Sequence, residues 1–169
     1  MKKIIFACFL VSLFACNDGD LQIETVDFDS ILTVDNCGDV KAGQSNVVFK
    51  INSDEALILT LPAAAIKNEV SDGQISSAVP GSSEITYRIF SDNVAKTYFC
   101  SAIPLTEPTV IDEIEANGGE VLITTTTTDS ITFTHAIELS GISLLTSDNS
   151  RITDLRIDSF GEFTTSIED

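Results

Sequence analysis

His135 is the only histidine in the chain and the first residue whose chemistry could indicate an enzyme. Nucleophilic catalysis of the Ser-His-acid type needs a histidine that can take a proton from a serine. His135 stands in an alternating stretch, residues 131–139, where Phe133 and Ile137 share its side of a strand. We therefore predict that it faces the core. Zinc sites take several Cys or His ligands, so one histidine does not indicate zinc either.

Carboxylates are abundant, with 26 Asp and Glu residues in the chain. A glycosidase-type hydrolase needs only two of them facing the scissile bond, and the candidates are Asp27, Asp29, Asp112, Glu113 and Glu115. The chain has no tryptophan and only two tyrosines, so the aromatic platforms usual at sugar sites are scarce. We expect a solvated acidic surface and predict no catalytic residue, with a two-carboxylate hydrolase as the least favoured alternative.

Calcium is the one cofactor that oxygen-rich turns of this kind could hold. Such turns occur at residues 17–20, Asn-Asp-Gly-Asp, and at residues 35–39, Asp-Asn-Cys-Gly-Asp. Neither follows the spacing of the twelve-residue EF-hand loop. The sequence predicts no metal site and no cofactor, and calcium at these turns stays the alternative.

The net charge of −17 bears on the choice of partner. Nucleic-acid binding depends on Lys and Arg that neutralise phosphates, and an acidic surface repels phosphates and anionic headgroups. We therefore exclude nucleic acid as a partner.

The N-terminus has the parts of a secretory signal, because Lys2 and Lys3 precede an apolar run at residues 4–15. The run is about 12 residues long, well below the roughly 20 that a membrane-spanning helix needs. This pattern indicates a signal peptide that is cleaved.

The end of this run, Leu13-Phe14-Ala15-Cys16, resembles the lipobox of bacterial lipoproteins. Phe14 departs from the small residue usual at that place. The resemblance implies cleavage before Cys16 and a diacylglycerol on its thiol, so that the chain is held to a membrane by lipid. The expected organisation is a signal peptide at 1–15, a lipidated cysteine and acidic tether at 16–21, and one domain at 22–169.

The tether sequence Asn17-Asp18-Gly19-Asp20 is similar to the acidic stretch of surface-exposed lipoproteins in the Bacteroidetes group. With the lipobox it makes the chain resemble uncharacterised flavobacterial surface lipoproteins. This resemblance implies an outer-membrane location with exposure at the cell surface, and the periplasmic face is the alternative. Asp29-Ser30-Ile31 and Asp129-Ser130-Ile131 also look like the acceptor for O-glycosylation in that group, which makes Ser30 and Ser130 candidate sites.

Export also bears on the cysteines. Cys8 leaves with the signal and Cys16 takes the lipid, so Cys37 and Cys100 remain as a pair in an oxidising compartment. We predict a disulfide between them, which would contribute about 4 kcal/mol in the chain-entropy model. Two separate buried thiols are the alternative.

Alternation with period two dominates the rest of the sequence and predicts an all-β fold. In residues 47–52 it places Val47, Phe49 and Ile51 on one face and Lys50 on the other. Residues 96–103 look like a further strand, residues 62–67 like a short helix, and Asn117-Gly118-Gly119 like a turn between strands. Residues 121–139 predict a hairpin that bends at Asp129 and Ser130. The expected architecture is a single antiparallel β-sandwich, immunoglobulin-like or jelly-roll-like.

No residue pattern specifies an activity or an oligomeric state. The favoured expectation is a lipid-anchored, non-catalytic binding or structural module that contacts another envelope protein. A glycan- or small-ligand-binding accessory lipoprotein is the second expectation, and the carboxylate hydrolase is the third.

Overall fold

The computed structural model describes residues 25–167. This part of the chain contains ten strands and one short helix. In chain order they are β1 (Thr25–Asp27), β2 (Asp35–Asn36), β3 (Asn46–Asn52), β4 (Glu55–Leu61), β5 (Ile75–Ala78), β6 (Glu84–Phe90), α1 (Lys96–Cys100), β7 (Val110–Thr127), β8 (Thr132–Leu144), β9 (Asp154–Arg156) and β10 (Ser159–Ser166).

Eight of these strands form one antiparallel sheet in the order β10-β8-β7-β6-β4-β3-β2, with β5 beside β7. The predicted all-β, antiparallel fold is confirmed. Neighbours in the sheet are also close in sequence, so the topology is a meander, whereas immunoglobulin-like and jelly-roll sandwiches contain Greek-key connections. Here one continuous sheet curls until its two halves share a core. β1 and β9 pair in parallel as a small separate sheet.

The sheet bends within β7. The first part of this strand pairs with β6 and the second part with β5 and β8, and register shifts lie between residues 116 and 120. Gly119 has a φ of 119°, and a Cβ on it would come within 2.6 Å of Ile142. The sequence Asn117-Gly118-Gly119 is therefore a bulge inside one long strand, and the predicted turn is wrong, because two glycines allow the backbone to bend without ending the strand.

Both halves of the curled sheet contribute to one core. Leu57 and Tyr87 come from the first half and Ile123 and Ile137 from the second, and all four are buried. Each large apolar side chain contributes about 1.5–3 kcal/mol when fully buried. Burial between the halves is thus the main force that holds the sheet in its curled form.

The hairpin predicted for residues 121–139 is confirmed, since β7 pairs with β8 over this stretch. The Asp129 carboxylate closes the turn by accepting hydrogen bonds from the backbone N–H groups of Thr132 at 2.7 Å and Ile131 at 2.9 Å. These bonds lower the pKa of Asp129. Ser130 occupies the left-handed region at φ 63°, as a tight turn requires.

β3 buries the face opposite to the predicted one. Val48 and Lys50 lie inside the curled sheet and are at most 1% exposed, whereas Val47 lies outside and is 51% exposed. The prediction fails because β3 carries apolar side chains on both faces: the core covers the inner face, and α1 packs on Phe49 on the outer face. Alternation alone cannot identify the inner face of such a strand.

Two other local predictions are wrong. Residues 96–103, predicted as a strand, begin with the helix α1. Tyr98 and Phe99 are adjacent yet both pack on the outside of the sheet, which a helical turn permits and an extended strand does not. Residues 62–67 form a turn, closed by a bond from Ala65 N to Pro62 O, and do not continue into a helix.

Candidate functional site

A groove of about 570 Å³ lies on the outer face of the sheet beside α1. Alternate residues of β3, β4 and β6 make its floor. Its two sides are α1 with β2 on one hand and the segment between β2 and β3 on the other. The volume is within the roughly 300–1,000 Å³ typical of small-molecule sites. This groove is the candidate functional site.

The strand register sets the composition of the floor. Phe49 lies opposite Ile58, and Ile58 lies opposite Thr86, so one row across the sheet changes from apolar to polar. In the next row Arg88 lies opposite Glu113, and its Nε donates a hydrogen bond to the Glu113 carboxylate. A ligand in the groove would meet an apolar floor at one side and a guanidinium and a hydroxyl at the other.

An aromatic cluster holds α1 against the sheet. The Phe99 ring lies 4.4 Å from that of Phe49, and Phe90 contacts Tyr98 edge-on at 5.0 Å. Such ring pairs contribute about 0.5–1.5 kcal/mol each beyond the area they bury. Phe99 thereby forms a fixed wall of the groove.

The predicted disulfide is confirmed, and it fastens this wall. Cys37, directly after β2, is bonded to Cys100 at the end of α1, with a Cα–Cα distance of 5.2 Å. Lys96 Nζ also lies 3.3 Å from Asp35 Oδ1, so an ion pair joins the start of the helix to the same strand. Both links join α1 to β2 or the residue after it, so the position of this wall does not depend on aromatic packing alone.

Asn46 fixes the opposite side. Its side-chain oxygen accepts from Lys41 N at 2.9 Å, and its Nδ2 donates to Lys41 O and Gln44 O at 2.9 and 2.8 Å. Both amide hydrogens and the oxygen of this buried side chain are thus engaged in holding the loop. Asp39, Val40 and Ser45 in this region are therefore presented to the groove on a braced loop.

His135 lies in the core, as predicted, and not in the groove. Its ring nitrogens lie 2.9 Å from Thr125 Oγ1 and 2.8 Å from Thr165 Oγ1, so both are satisfied. Burial lowers the pKa of His135 because the charged ring would be desolvated. A fully enclosed imidazole with both nitrogens bonded has no path to a substrate.

The candidate carboxylates fall into two groups in the structure. Asp27 and Asp29 accept backbone hydrogen bonds from Ser30 N and Ser159 N, near β1. Asp112, Glu113 and Glu115 lie on β7, where Glu113 pairs with Arg88. The two groups lie on different elements, and the carboxylate of Glu113, which shares a strand face with Glu115, is engaged by Arg88.

Lys50 is buried, although the alternating pattern of β3 predicts that its side chain lies on the solvent-facing side of the strand. Its Nζ donates to Phe28 O at 2.8 Å and to Ser159 O at 2.7 Å, and the ring of Phe160 lies 5.8 Å away. Burial lowers the pKa of Lys50, although the charges of Asp29 and Asp27 oppose this shift. The ammonium joins β3 to the chain segments at β1 and β10, which closes the curled sheet. The sequence signal for it was the placement of a lysine between Phe49 and Ile51.

In the turn at residues 35–39, the candidate calcium turn, three residues are engaged in other contacts, and Asp39 lines the groove. Asp35 pairs with Lys96, Cys37 is in the disulfide, and Asn36 Nδ2 donates to Gly38 O. No group of His, Cys, Asp or Glu residues within 25–167 is arranged to hold a metal ion. The other turn considered, at residues 17–20, lies outside the described part of the chain.

The candidate modification sites are turn residues. Ser30 follows β1 and Ser130 lies at the tip of the β7–β8 hairpin, and both are exposed. Their glycosylation stays a prediction. Cys16, the predicted lipidation site, lies outside the described residues.

Comparison of the chain with protein-family models, with curated proteins and with solved structures found no match. Within residues 25–167, the structure has no helix with the length and apolar character of a membrane span.

Proposed function

We propose that the protein is a lipid-anchored module of the cell envelope, held at the outer membrane through Cys16, which binds an envelope partner in its groove without catalysis. The lipobox-like sequence before Cys16 supports the anchor. The braced groove is the observation that carries the binding role, since its walls are fixed by a disulfide, an ion pair and a bonded amide. A preformed site of this kind loses little entropy when it binds.

The absence of converging acid–base groups in the groove favours binding over catalysis. Asp39 and Arg88 are its charged side chains, and Arg88 is paired with Glu113. Cys37 is in the disulfide and offers no thiol. We therefore assign the groove to recognition.

A glycan or other small polar ligand is the second candidate, favoured by one observation. The Phe99 ring lines the groove together with Thr86 and Asn36, which bring a hydroxyl and an amide to the same groove. Aromatic faces with nearby hydrogen-bonding groups are what a sugar ring needs, although one such ring gives a smaller platform than most sugar sites offer.

The anchor is tested by membrane fractionation and protease shaving of intact cells that produce either the wild type or Cys16→Ser. The proposal expects the wild type to stay with the outer membrane and to be lost on shaving, while the variant becomes soluble. A wild type that is soluble contradicts the anchor. A membrane-bound wild type that resists shaving assigns the domain to the periplasmic face.

The groove is tested in the same cells with a photo-crosslinking amino acid at Val47, which lines the groove, and at Ile75 on β5 as the control. The two side chains are 51% and 43% exposed, so their accessibility is similar. We expect a discrete adduct from position 47 alone, which Thr86→Arg abolishes by filling the floor. A protein-sized adduct supports the envelope partner and a small mass increment supports the glycan. Equal adducts at both positions, or none at either, contradict the groove as the site.

A further inference from the structure

Residues 101–111, which comprise the connection from α1 and the first two residues of β7, carry four exposed aliphatic side chains. Ile103 is 78% exposed and Ile111 67%, and Leu105 and Val110 are 44% and 40% exposed. Single exposed aliphatic residues are ordinary on proteins, but four of them within eleven residues at one end of the sheet are a candidate interaction surface. The stretch has only one charged residue, Glu107. We refer to residues 101–111 as the apolar segment.

The apolar segment lies at the end of the sheet where the described chain begins. Thr109 O accepts a hydrogen bond from Ser91 N at 2.9 Å, and Val94 N donates to Ser53 O at 2.9 Å, next to the β3–β4 turn. At the same turn Asn52 Nδ2 donates to Asp27 O at 3.0 Å, two residues after Thr25. We call this end of the sheet the proximal end.

The length of chain before Thr25 limits how far the proximal end can be from a lipid on Cys16. The connection from Cys16 to Thr25 spans at most about 30 Å at ~3.3–3.6 Å per residue. A domain held this closely by its proximal end has its apolar segment within reach of the bilayer surface.

We propose that the apolar segment inserts its aliphatic side chains into the uncharged interface of the membrane to which the chain is anchored. Attachment of the chain to the membrane rests on the proposed lipid anchor at Cys16, whereas insertion into the membrane depends on residues 101–111 and is tested separately. Aliphatic side chains partition into the boundary between headgroups and acyl chains. This contact would give the domain a fixed orientation at the membrane.

Charge selects the type of lipid surface. Asp54 and Asp92 lie at the proximal end together with Glu107, and the chain as a whole is strongly acidic. Anionic headgroups would repel this end. The surface that fits is therefore zwitterionic or neutral, such as phosphatidylcholine or phosphatidylethanolamine.

The test uses the absence of tryptophan from the chain. A single tryptophan is introduced by Leu105→Trp in the apolar segment or, as the matched control, by Ile131→Trp at the other end of β7. The two native side chains are 44% and 43% exposed. The chain beginning at Cys16 is coupled through this thiol to a maleimide lipid in phosphatidylcholine vesicles, because Cys37 and Cys100 are in the disulfide. Attachment is then independent of whether cells lipidate Cys16.

Lipids brominated on their acyl chains report insertion by quenching the tryptophan. We expect a blue-shifted emission and several-fold stronger quenching at position 105 than at position 131. Adding Ile103→Ser and Ile111→Thr should reduce the quenching at 105, and phosphatidylglycerol vesicles should do the same. Equal quenching at the two positions, or none at either, overturns the insertion while leaving the anchor to the fractionation experiment. A soluble wild type in cells with quenching at 105 in vesicles overturns the anchor alone.

Discussion

Removal of the disulfide gives the sharpest test of how the groove is held. Cys37 and Cys100 are 63 residues apart in sequence, so their bond closes a large loop in the unfolded chain. In the chain-entropy model a cross-link of this length stabilises the folded state by about 4 kcal/mol. The double variant Cys37→Ser/Cys100→Ser should therefore lose about 4 kcal/mol of unfolding free energy, out of the 5–15 kcal/mol typical of a domain.

Urea unfolding measures this loss by far-ultraviolet circular dichroism and tyrosine fluorescence. Tyr98 lies on α1 and the chain has no tryptophan, so tyrosine emission can be read directly, with Tyr98→Phe used to assign the signal. The dependence of the unfolding free energy on urea should also be steeper in the double variant, because its unfolded chain exposes more surface. Wild type unfolded under a thiol reductant is the control and should behave in the same way.

A loss below about 1 kcal/mol with an unchanged urea dependence would refute this reasoning, since the unfolded chain would then not be constrained by the bond. It would mean that the contacts of Phe99 and Tyr98 alone position α1. A loss well above 4 kcal/mol would show that the native packing around α1 also depends on the bond.

Two further predictions concern the buried titratable side chains of His135 and Lys50, and a third concerns the glycine bulge in β7. Burial lowers the pKa of His135, so the unfolded chain takes up a proton near pH 6.5 before the folded chain does. Below that pH the unfolding free energy should fall by up to about 1.4 kcal/mol per pH unit relative to His135→Gln, measured by urea unfolding at several pH values. Burial also lowers the pKa of Lys50, so the folded chain loses its proton first, and stability should rise toward pH 10.5 relative to Lys50→Met in the same assay. Gly119→Ala should lower the unfolding free energy by about 3 kcal/mol, because the residue has a positive φ and the new Cβ would clash with Ile142. Gly118→Ala, whose Cβ would lie 3.7 Å from Ser143 Cβ, should cost far less in the same urea assay. Equal losses in the two variants would contradict the bulge geometry.

The sequence predicts an element well where only one of its faces is buried. β8 shows this, because Phe133, His135 and Ile137 alternate with polar residues and lie inside as expected. β3 shows the opposite case. Phe49 is covered by α1 on the outer face and Val48 by the core on the inner face, so the hydrophobic pattern is consistent with either orientation.

The candidate site was not predictable from spacing. Its floor and walls come from residues between Asn36 and Phe99 on five elements and one loop, and none of them forms a local motif. The cysteine pair was the one sequence signal for the site, because pairing Cys37 with Cys100 requires the loop after β2 to meet residues near 100. The cysteines do not indicate that the register of the strands between them in sequence places a groove beside the disulfide.

The same bond also connects the groove to the apolar segment. Cys100 ends α1, and the apolar segment begins at the next residue, so the disulfide fixes the origin of both surfaces. The two surfaces that carry the proposed functions therefore start from one covalent attachment point, and a bond of this kind persists in an oxidising compartment.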